Sequence, residues 1–581
     1  MKRFFLVTSL LAVLLGFGIS ATISAESAAQ PVPTLVPPTL VPTVDAGVSD
    51  VLLAESALAR VQRDGRVRVG MLYNAIPFGE FNLRGEVSGY DADLARSMAE
   101  AWGVEFEAVQ VTRQTALDML RTGAVDMLVA AQVHRRELDA LVEFSLTYYP
   151  GTQSLLVRQD DGAAGLGDMA NRRIGYVIAS PSLDALTQWQ MRAGVTVTTQ
   201  QYLTLDQAVT ALAANEVDAV AANRVLLTRL TTVQQGGARI LEQALSPEPY
   251  AIVVRRQDVN WRNLINKTLQ HLVQKGRMQE IQQAYFGTSY PLDLIPVWQG
   301  LGTEPPKPAE FSPDVTYPTQ YALPRVQSNG VVRVAGVSDL PPDAPESQRR
   351  LEAFNRAMIE ALAVRWGVRV EYLPNSAGNA ADLVAAGQAD LAVGVTLDWA
   401  LTDRVDFSAP YLLHGERLLA KADGPYETFL DLRARWVAVF ASEPGAEDRV
   451  NALAESVSSG VRIFTLNNEA NAPQIILEER SADVVFGDSL KLIPHVQANP
   501  EALRLTVRGN NPDPWYSRVY VGIAVPRNDL DFRLLVEYTL QEMARDGSWQ
   551  TLLAPVMLPD DIPAFDIWPG SSDYFGISLA S

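Results

Sequence analysis

The chain spells out one unit twice, and this repetition limits its architecture more than any other feature. Val67-Arg68-Val69 recurs as Val332-Arg333-Val334, and Trp102-Gly103-Val104 as Trp366-Gly367-Val368. Gly123 and Asp126 match Gly387 and Asp390, and Val142-Glu143-Phe144-Ser145 matches Val405-Asp406-Phe407-Ser408. Further on, Val217-Asp218-Ala219-Val220 runs parallel to Ala482-Asp483-Val484-Val485, and Thr268-Leu269-Gln270 to Thr539-Leu540-Gln541. The matched segments keep their order and an offset of about 265 residues. An ordered set of this kind argues for a duplicated unit rather than two unrelated domains of similar composition.

Within each copy, short β-branched runs such as residues 67–69 and 125–130 alternate with helical patterns such as 93–102 and 114–122. That alternation predicts βαβ units and a parallel sheet. Leu94, Met98 and Ala101 fall at helical spacing beside polar Arg96 and Glu100, so this helix packs one face on the sheet. Gly103 follows where a helix ends in a residue of positive φ. A copy of about 230 residues is long for one small sheet and suggests two lobes.

The remaining segments divide the chain. Lys2 and Arg3 precede an apolar run over residues 4–23, followed by small residues at Ser24-Ala25 and Ser27-Ala28-Ala29. This reads as a signal peptide, residues 1–29, and hence as export. An uncleaved anchor is the alternative, because the run approaches the ~20 apolar residues that span a bilayer. Residues 30–55 begin with prolines 31, 33, 37, 38 and 42 and read as an extended tether. The first domain then covers 56–289, a proline-rich linker 290–325 spaces the halves, the second domain covers 326–558, and 559–581 form a C-terminal tail.

Composition excludes several chemistries. A formal charge of −19 without a visible basic patch argues against a nucleic-acid partner. With no cysteine there is no disulfide framework, thiol nucleophile or thiolate metal site. The four histidines, His134, His271, His414 and His495, are too scattered in sequence to suggest a metal centre, and no cofactor is expected.

The quoted residues resemble the extracellular solute-binding proteins of the polar amino acid type, the receptors of ABC importers. Val69-Gly70, Pro77-Phe78 and Gly89-Tyr90-Asp91-Ala92-Asp93-Leu94 resemble the opening strand, mouth loop and first helix of that family. Thr122-Gly123-Ala124-Val125-Asp126, Val142-Glu143-Phe144-Ser145, Gly276 and Tyr285-Phe286-Gly287 resemble its later segments. In the second copy Phe354-Asn355 stands where the family has Gly-Tyr-Asp, and the match is good from Gly387 to Ser408. The resemblance implies an α/β fold of two tandem periplasmic-binding-protein type II units, each of two α/β lobes joined by a two-strand hinge. A ligand would be held in each interlobe cleft as the lobes close.

It also implies positions for the ligand contacts. The family's carboxylate-binding arginine falls on Leu138 and Leu401, so both copies lack it, although Arg135, Arg136 and Arg404 lie nearby; a solvated helix surface is the alternative for these. The hydroxyl five residues earlier is Val133 in the first copy and Thr396 in the second. The ammonium-binding aspartate falls on Asn223 and Asp488, and Asp488 serves equally well as a helix N-cap. The mouth-loop aromatic falls on Ala75, leaving Tyr73 or Phe78 to stack, while the second copy has Ser338-Asp339-Leu340 there. Ser180 and Ser442 open the second lobes and could meet an anion or cap the next helix. The candidate contacts are therefore Tyr73, Phe78, Gln132, Arg135, Ser180 and Asn223 in the first domain. In the second they are Asp339, Thr396, Asp398, Ser442 and Asp488.

The function expected is that of an exported, monomeric, non-enzymatic solute-binding protein, periplasmic or on the outer face of the cytoplasmic membrane. It would capture a small polar metabolite, amino-acid-like or an organic anion, for an ABC permease or a membrane sensor. Two alternatives stand beside it. One is an interaction scaffold that has lost solute binding; the other is a periplasmic dehydratase-like enzyme using Asp488 or Asp398 in acid–base chemistry.

Overall fold

The computed structural model describes residues 55–233, 237–287, 292–374, 376–507, 513–563 and 565–570. The expected signal peptide and nearly all of the tether lie outside these residues, as does the end of the tail. No helix among the described residues is long and apolar enough to cross a membrane.

Each repeat folds into two α/β lobes. In the first unit, Arg66–Leu72 lies parallel between Glu105–Val111 and Met127–Leu128. The helix Tyr90–Trp102 covers this sheet with Leu94 and Met98 fully buried, and it stops at Gly103, whose φ of 73° is open to a residue without Cβ. Its last residue, Trp102, donates its indole N–H to Thr268 Oγ1 at 2.7 Å. Trp366 ends the equivalent helix, Glu346–Trp366, and makes the same bond to Thr539 at 2.8 Å. The repeated aspartates are likewise structural. Asp126 and Asp390 are each 2.9 Å from the guanidinium of Arg68 and Arg333, on the strand beside them.

The units differ where the chain crosses between lobes. In the first, the long antiparallel strands Val142–Arg158 and Ser246–Arg255 run through both lobes and join them in one nine-stranded sheet. In the second, the lobes keep separate sheets of six and five strands. The crossing strand there is interrupted at Gly415, between Leu412–His414 and Glu416–Lys421. Gly415 has φ 154°, and a Cβ on it would lie 2.1 Å from the carbonyl oxygen of Ser517 on the returning chain. Only glycine permits that approach.

The two units pack directly on each other through their first lobes. The equivalent helices Val259–Gln274 and Leu530–Arg545 bring Arg262 and Arg533 to the repeated carboxylates Glu143 and Asp406. Arg262, only 6% exposed, donates to Glu143 and, at 2.6 Å, to Asp406; Arg533 donates to Glu143 at 2.8 Å. Arg136 of the first unit donates to Gln541 at 2.8 Å and Glu542 at 2.7 Å in the second.

The segment after each unit docks at this junction in the same way. Trp298, after the first unit, donates its backbone N–H to Gln270 Oε1 at 3.0 Å, and its ring stacks on Trp399 of the second at 4.7 Å. Trp568, after the second, donates to Gln541 Oε1 at 3.0 Å and stacks on His134 of the first at 3.7 Å. The backbone repeats as well: Trp399 N donates to Gln299 O, and Arg136 N to Pro569 O, both at 3.0 Å. Where the sequence suggests a spacer and a tail, the structure has two straps that fasten the units together.

Candidate functional site

The interlobe cleft of the second unit is an open pocket of about 510 Å³. Its first-lobe wall is the start of the helix Glu346–Trp366, with Ser347 and Leu351. Its second-lobe wall carries Glu416, Ser442, Glu443, Arg449, Asp488 and Lys491. Asp488 ends the buried strand Val484–Asp488 and starts the helix Ser489–Ala498. The cap raised by the sequence is present: Oδ1 accepts the Leu490 N–H at 2.9 Å, while Oδ2 faces His414 Nδ1 at 2.6 Å.

The charges in this pocket are arranged as pairs. Lys491, one helical turn after Asp488, is 3.0 Å from Glu443 and donates to Ser442 Oγ at 2.8 Å. Arg449 pairs with Glu416. Burial pushes the Glu443 carboxyl above its usual range, and the Asp488 N–H and Lys491 oppose that shift. A cleft wall with both ammonium and guanidinium donors beside three carboxylates can meet a solute that carries both signs of charge, by exchanging internal pairs for pairs to the solute.

The other sequence candidates of this unit lie elsewhere. Asp339 pairs with Arg356 at 3.4 Å on the surface. Thr396 pairs in the sheet with Val521. Asp398 caps Ala400 at 2.9 Å and forms a bridge with Gln299 of the first strap. None of the three lines the pocket. Sequence reasoning passed over Lys491, Arg449, Glu443 and Glu416. The spacing of Lys491 three residues after Asp488 on a predicted helix was the available signal.

In the first unit the corresponding positions are occupied by the protein itself. Asn223 stands at the end of the strand Ala219–Asn223 where Asp488 stands in the second unit. Its amide donates to Glu248 at 2.6 Å and to the Tyr250 hydroxyl at 2.9 Å. Burial pushes the Glu248 carboxyl up, and no cation pairs with it within 4 Å among the described residues. Arg135 is partly exposed, 3.5 Å from Glu137 on its own loop and 3.7 Å from Asp184 of the second lobe. Ser180 turns back on its own loop, donating to Val177 O at 2.6 Å, and Gln132 donates to Val133 O at 3.2 Å.

Of the two candidate stacking residues, Phe78 is 5% exposed inside a cluster with Tyr90, Tyr149, Tyr250 and Phe286, which makes it core. Tyr73 is 39% exposed. Leu138 and Leu401, at the positions of the expected guanidinium, pack against the first-lobe cores of their units. The loops that hold them also hold His134, Arg136 and Trp399, the residues on which the straps dock. Packing between units thus occupies the segment from which a carboxylate anchor would come.

The family model of the bacterial extracellular solute-binding proteins, family 3, matches the chain twice, over residues 67–288 and 332–556. The chain belongs to this family. Within the family, it is similar to the glutamine-binding protein of Geobacillus stearothermophilus, 27% identical over 217 residues that cover 37% of this chain and 81% of that protein. It is also similar to the glutamate-binding protein GluB of Corynebacterium glutamicum, 27% identical over 231 residues, covering 38% and 77%. Among solved structures, it is similar to a polar amino acid ABC uptake transporter substrate binding protein from Streptococcus thermophilus, 20% identical over 42% of this chain and 94% of the other, with a TM-score of 0.36. The family is one of extracellular solute-binding proteins rather than enzymes, and the two units described above have its type II architecture.

Proposed function

We propose that this protein is an exported receptor for a small polar solute in which the second unit binds and the first unit supports. One observation carries the reading: Ser442, Arg449, Asp488 and Lys491 line a single pocket between the lobes of the second unit, beside the glycine joint at Gly415. The first unit has Asn223 in place of that aspartate and spans its cleft with its own Arg135–Asp184 pair. Its unbroken crossing sheet suits a scaffold better than a hinge.

The solute class is amino-acid-like or an organic anion, in line with the glutamine and glutamate that the relatives are named for. The loss of a guanidinium at Leu138 and Leu401 argues that ordinary α-amino acids bind weakly, and that the preferred solute presents its charges to Arg449, Lys491 and Asp488. The receiving partner is an ABC permease or a membrane sensor. Residues 1–29 serve as the export signal and 30–55 as the tether, on the sequence pattern described above.

Thermal shift of the full chain against a metabolite panel, followed by calorimetry on the compounds that raise the melting temperature, tests this. Binding of a polar solute that carries an ammonium group, such as a modified amino acid, lost in Asp488→Asn, is the expected result. Micromolar binding of glutamine or arginine, or of any solute indifferent to Asp488→Asn, overturns the assignment of this cleft.

A further inference from the structure

A second cavity, about 100 Å³, lies between the two units and shares no residue with the open cleft. At about 30 Å³ per water, it has room for roughly three waters, or for one small methylated ammonium. Its walls are aromatic on several sides, with Phe144, Trp298, Phe407, Phe565 and Trp568 all in the lining.

The charges around it do not balance. Of the charged groups in its lining, Arg262 and Arg533 are shared between Glu143 and Asp406, His134 faces Asp139 at 2.9 Å, and Asp293 faces Arg518 at 3.8 Å. Glu537 and Asp566 also line the cavity, and among the described residues neither is in an ion pair within 4.0 Å. Glu537 is 4% exposed; one oxygen accepts the Ala409 N–H at 2.7 Å and the other, Oε2, has no hydrogen-bond partner. Asp566 accepts from the Thr147 hydroxyl at 2.6 Å and the Trp568 indole at 3.0 Å, both neutral donors. Burial pushes both carboxyls up, that of Glu537 to about 7.

A buried carboxylate with a bare oxygen either takes up a proton or is held charged by a cation, and aromatic faces beside it favour the cation. A metal ion is a poor fit, since no group of three or more potential ligand side chains converges among the described residues. An organic ammonium takes what is there: two carboxylates at short range and ring faces for its methyl or methylene groups. We infer that the cavity between the units is a binding site for a small organic cation, seated among the aromatic walls and held by Glu537 and Asp566. Both straps contribute to it through Trp298, Phe565, Asp566 and Trp568, so its occupant would stabilise the junction of the units independently of any solute in the cleft.

Methylammonium and dimethylammonium are suitable probes, because both are small enough for the cavity and neither has the carboxylate expected of a cleft ligand. Calorimetry of the full chain should show saturable binding to one site. Glu537→Gln, which keeps an acceptor for Ala409, should weaken it by about tenfold or more, and Phe565→Leu, which keeps apolar packing without the ring face, by about threefold. Asp488→Asn should leave it within about twofold of the parent. Absence of saturable heat at tens of millimolar probe, equal affinity in Glu537→Gln and Phe565→Leu, or loss of the signal in Asp488→Asn would each overturn the inference. The last of these would move the cation into the cleft, while the first two would leave the cleft proposal intact.

Discussion

Replacing Arg262 by methionine removes the cation that ties the two units together and leaves the shape of the side chain nearly filled. Glu143 would keep Arg533 at 2.8 Å and the backbone N–H of Gln257 at 3.0 Å. Asp406 would keep only the Asn528 N–H at 2.8 Å and lose its ion-pair partner. Although burial alone pushes the Asp406 carboxyl up, Arg262 and then Arg533 hold it below the usual range. A buried carboxylate stripped of its partner costs about 3–5 kcal/mol, far more than the small net value of an intact pair.

The cost has a pH signature. The Asp406 carboxyl now contributes stability above its unfolded pKa, near 4, and loses it only as pH falls through its lowered folded value. Without Arg262 the carboxyl would instead protonate more readily when folded, so the penalty should be full at pH 7.5 and shrink toward pH 4.5. Urea unfolding of the full chain, followed by the fluorescence of its ten tryptophans, measures both effects. Arg262→Met/Asp406→Asn should recover most of the loss, because the orphaned charge is gone. A single-variant loss under about 1 kcal/mol, or a double variant no better than the single, would refute the assignment of this cluster as the electrostatic link between units.

Other consequences are open to measurement. The carboxyls of Asp91, Asp529 and Glu537 are pushed up to about 7, in each case chiefly by burial. Arg533, Asp139 and Asp566 also act on Glu537. The folded state therefore binds more protons than the unfolded chain between about pH 4 and 7, and stability should rise by a few kcal/mol as pH falls from 8 to 5.5. Calorimetric melting that is flat or rises with pH across that interval contradicts this. Gly415→Ala should cost about 1–3 kcal/mol and reduce lobe opening in the second unit, seen as a smaller change in scattering radius on adding solute. Trp568→Ala, removing a ring only 8% exposed, should cost about 3–5 kcal/mol and expose the C-terminal strap to protease, whereas the half-buried Trp298 should cost less.

The repeat is legible in sequence because its conserved chemistry is local. Trp102 and Trp366 close helices onto Thr268 and Thr539, Gly103 caps, and Asp126 and Asp390 anchor the strand beside them. These interactions recur at a fixed offset, so pattern alone finds them. Asp488 was also readable, since a strand followed by Asp-Ser-Leu presents a cap and a charge at one point. The junction between units was not. Trp298 and Trp568 sit in segments that read as spacer and tail by their prolines, and the partners they choose lie in the opposite unit. Arg262 and Arg533 stand on helices whose buried face cannot be told from a solvated one until the second unit is placed against the first. Phe78 suggests a ligand platform in sequence and is core in the structure because Tyr90, Tyr149, Tyr250 and Phe286, distant in sequence but in its own unit, close around it.

A receptor whose second unit alone receives a solute binds that solute once per chain. Native mass spectrometry of the freshly purified full chain counts what is bound. Apart from any small cation held between the units, one adduct that disappears in Asp488→Asn and survives Asn223→Ala is expected. Two equal adducts, or one that follows Asn223 and ignores Asp488, would contradict it.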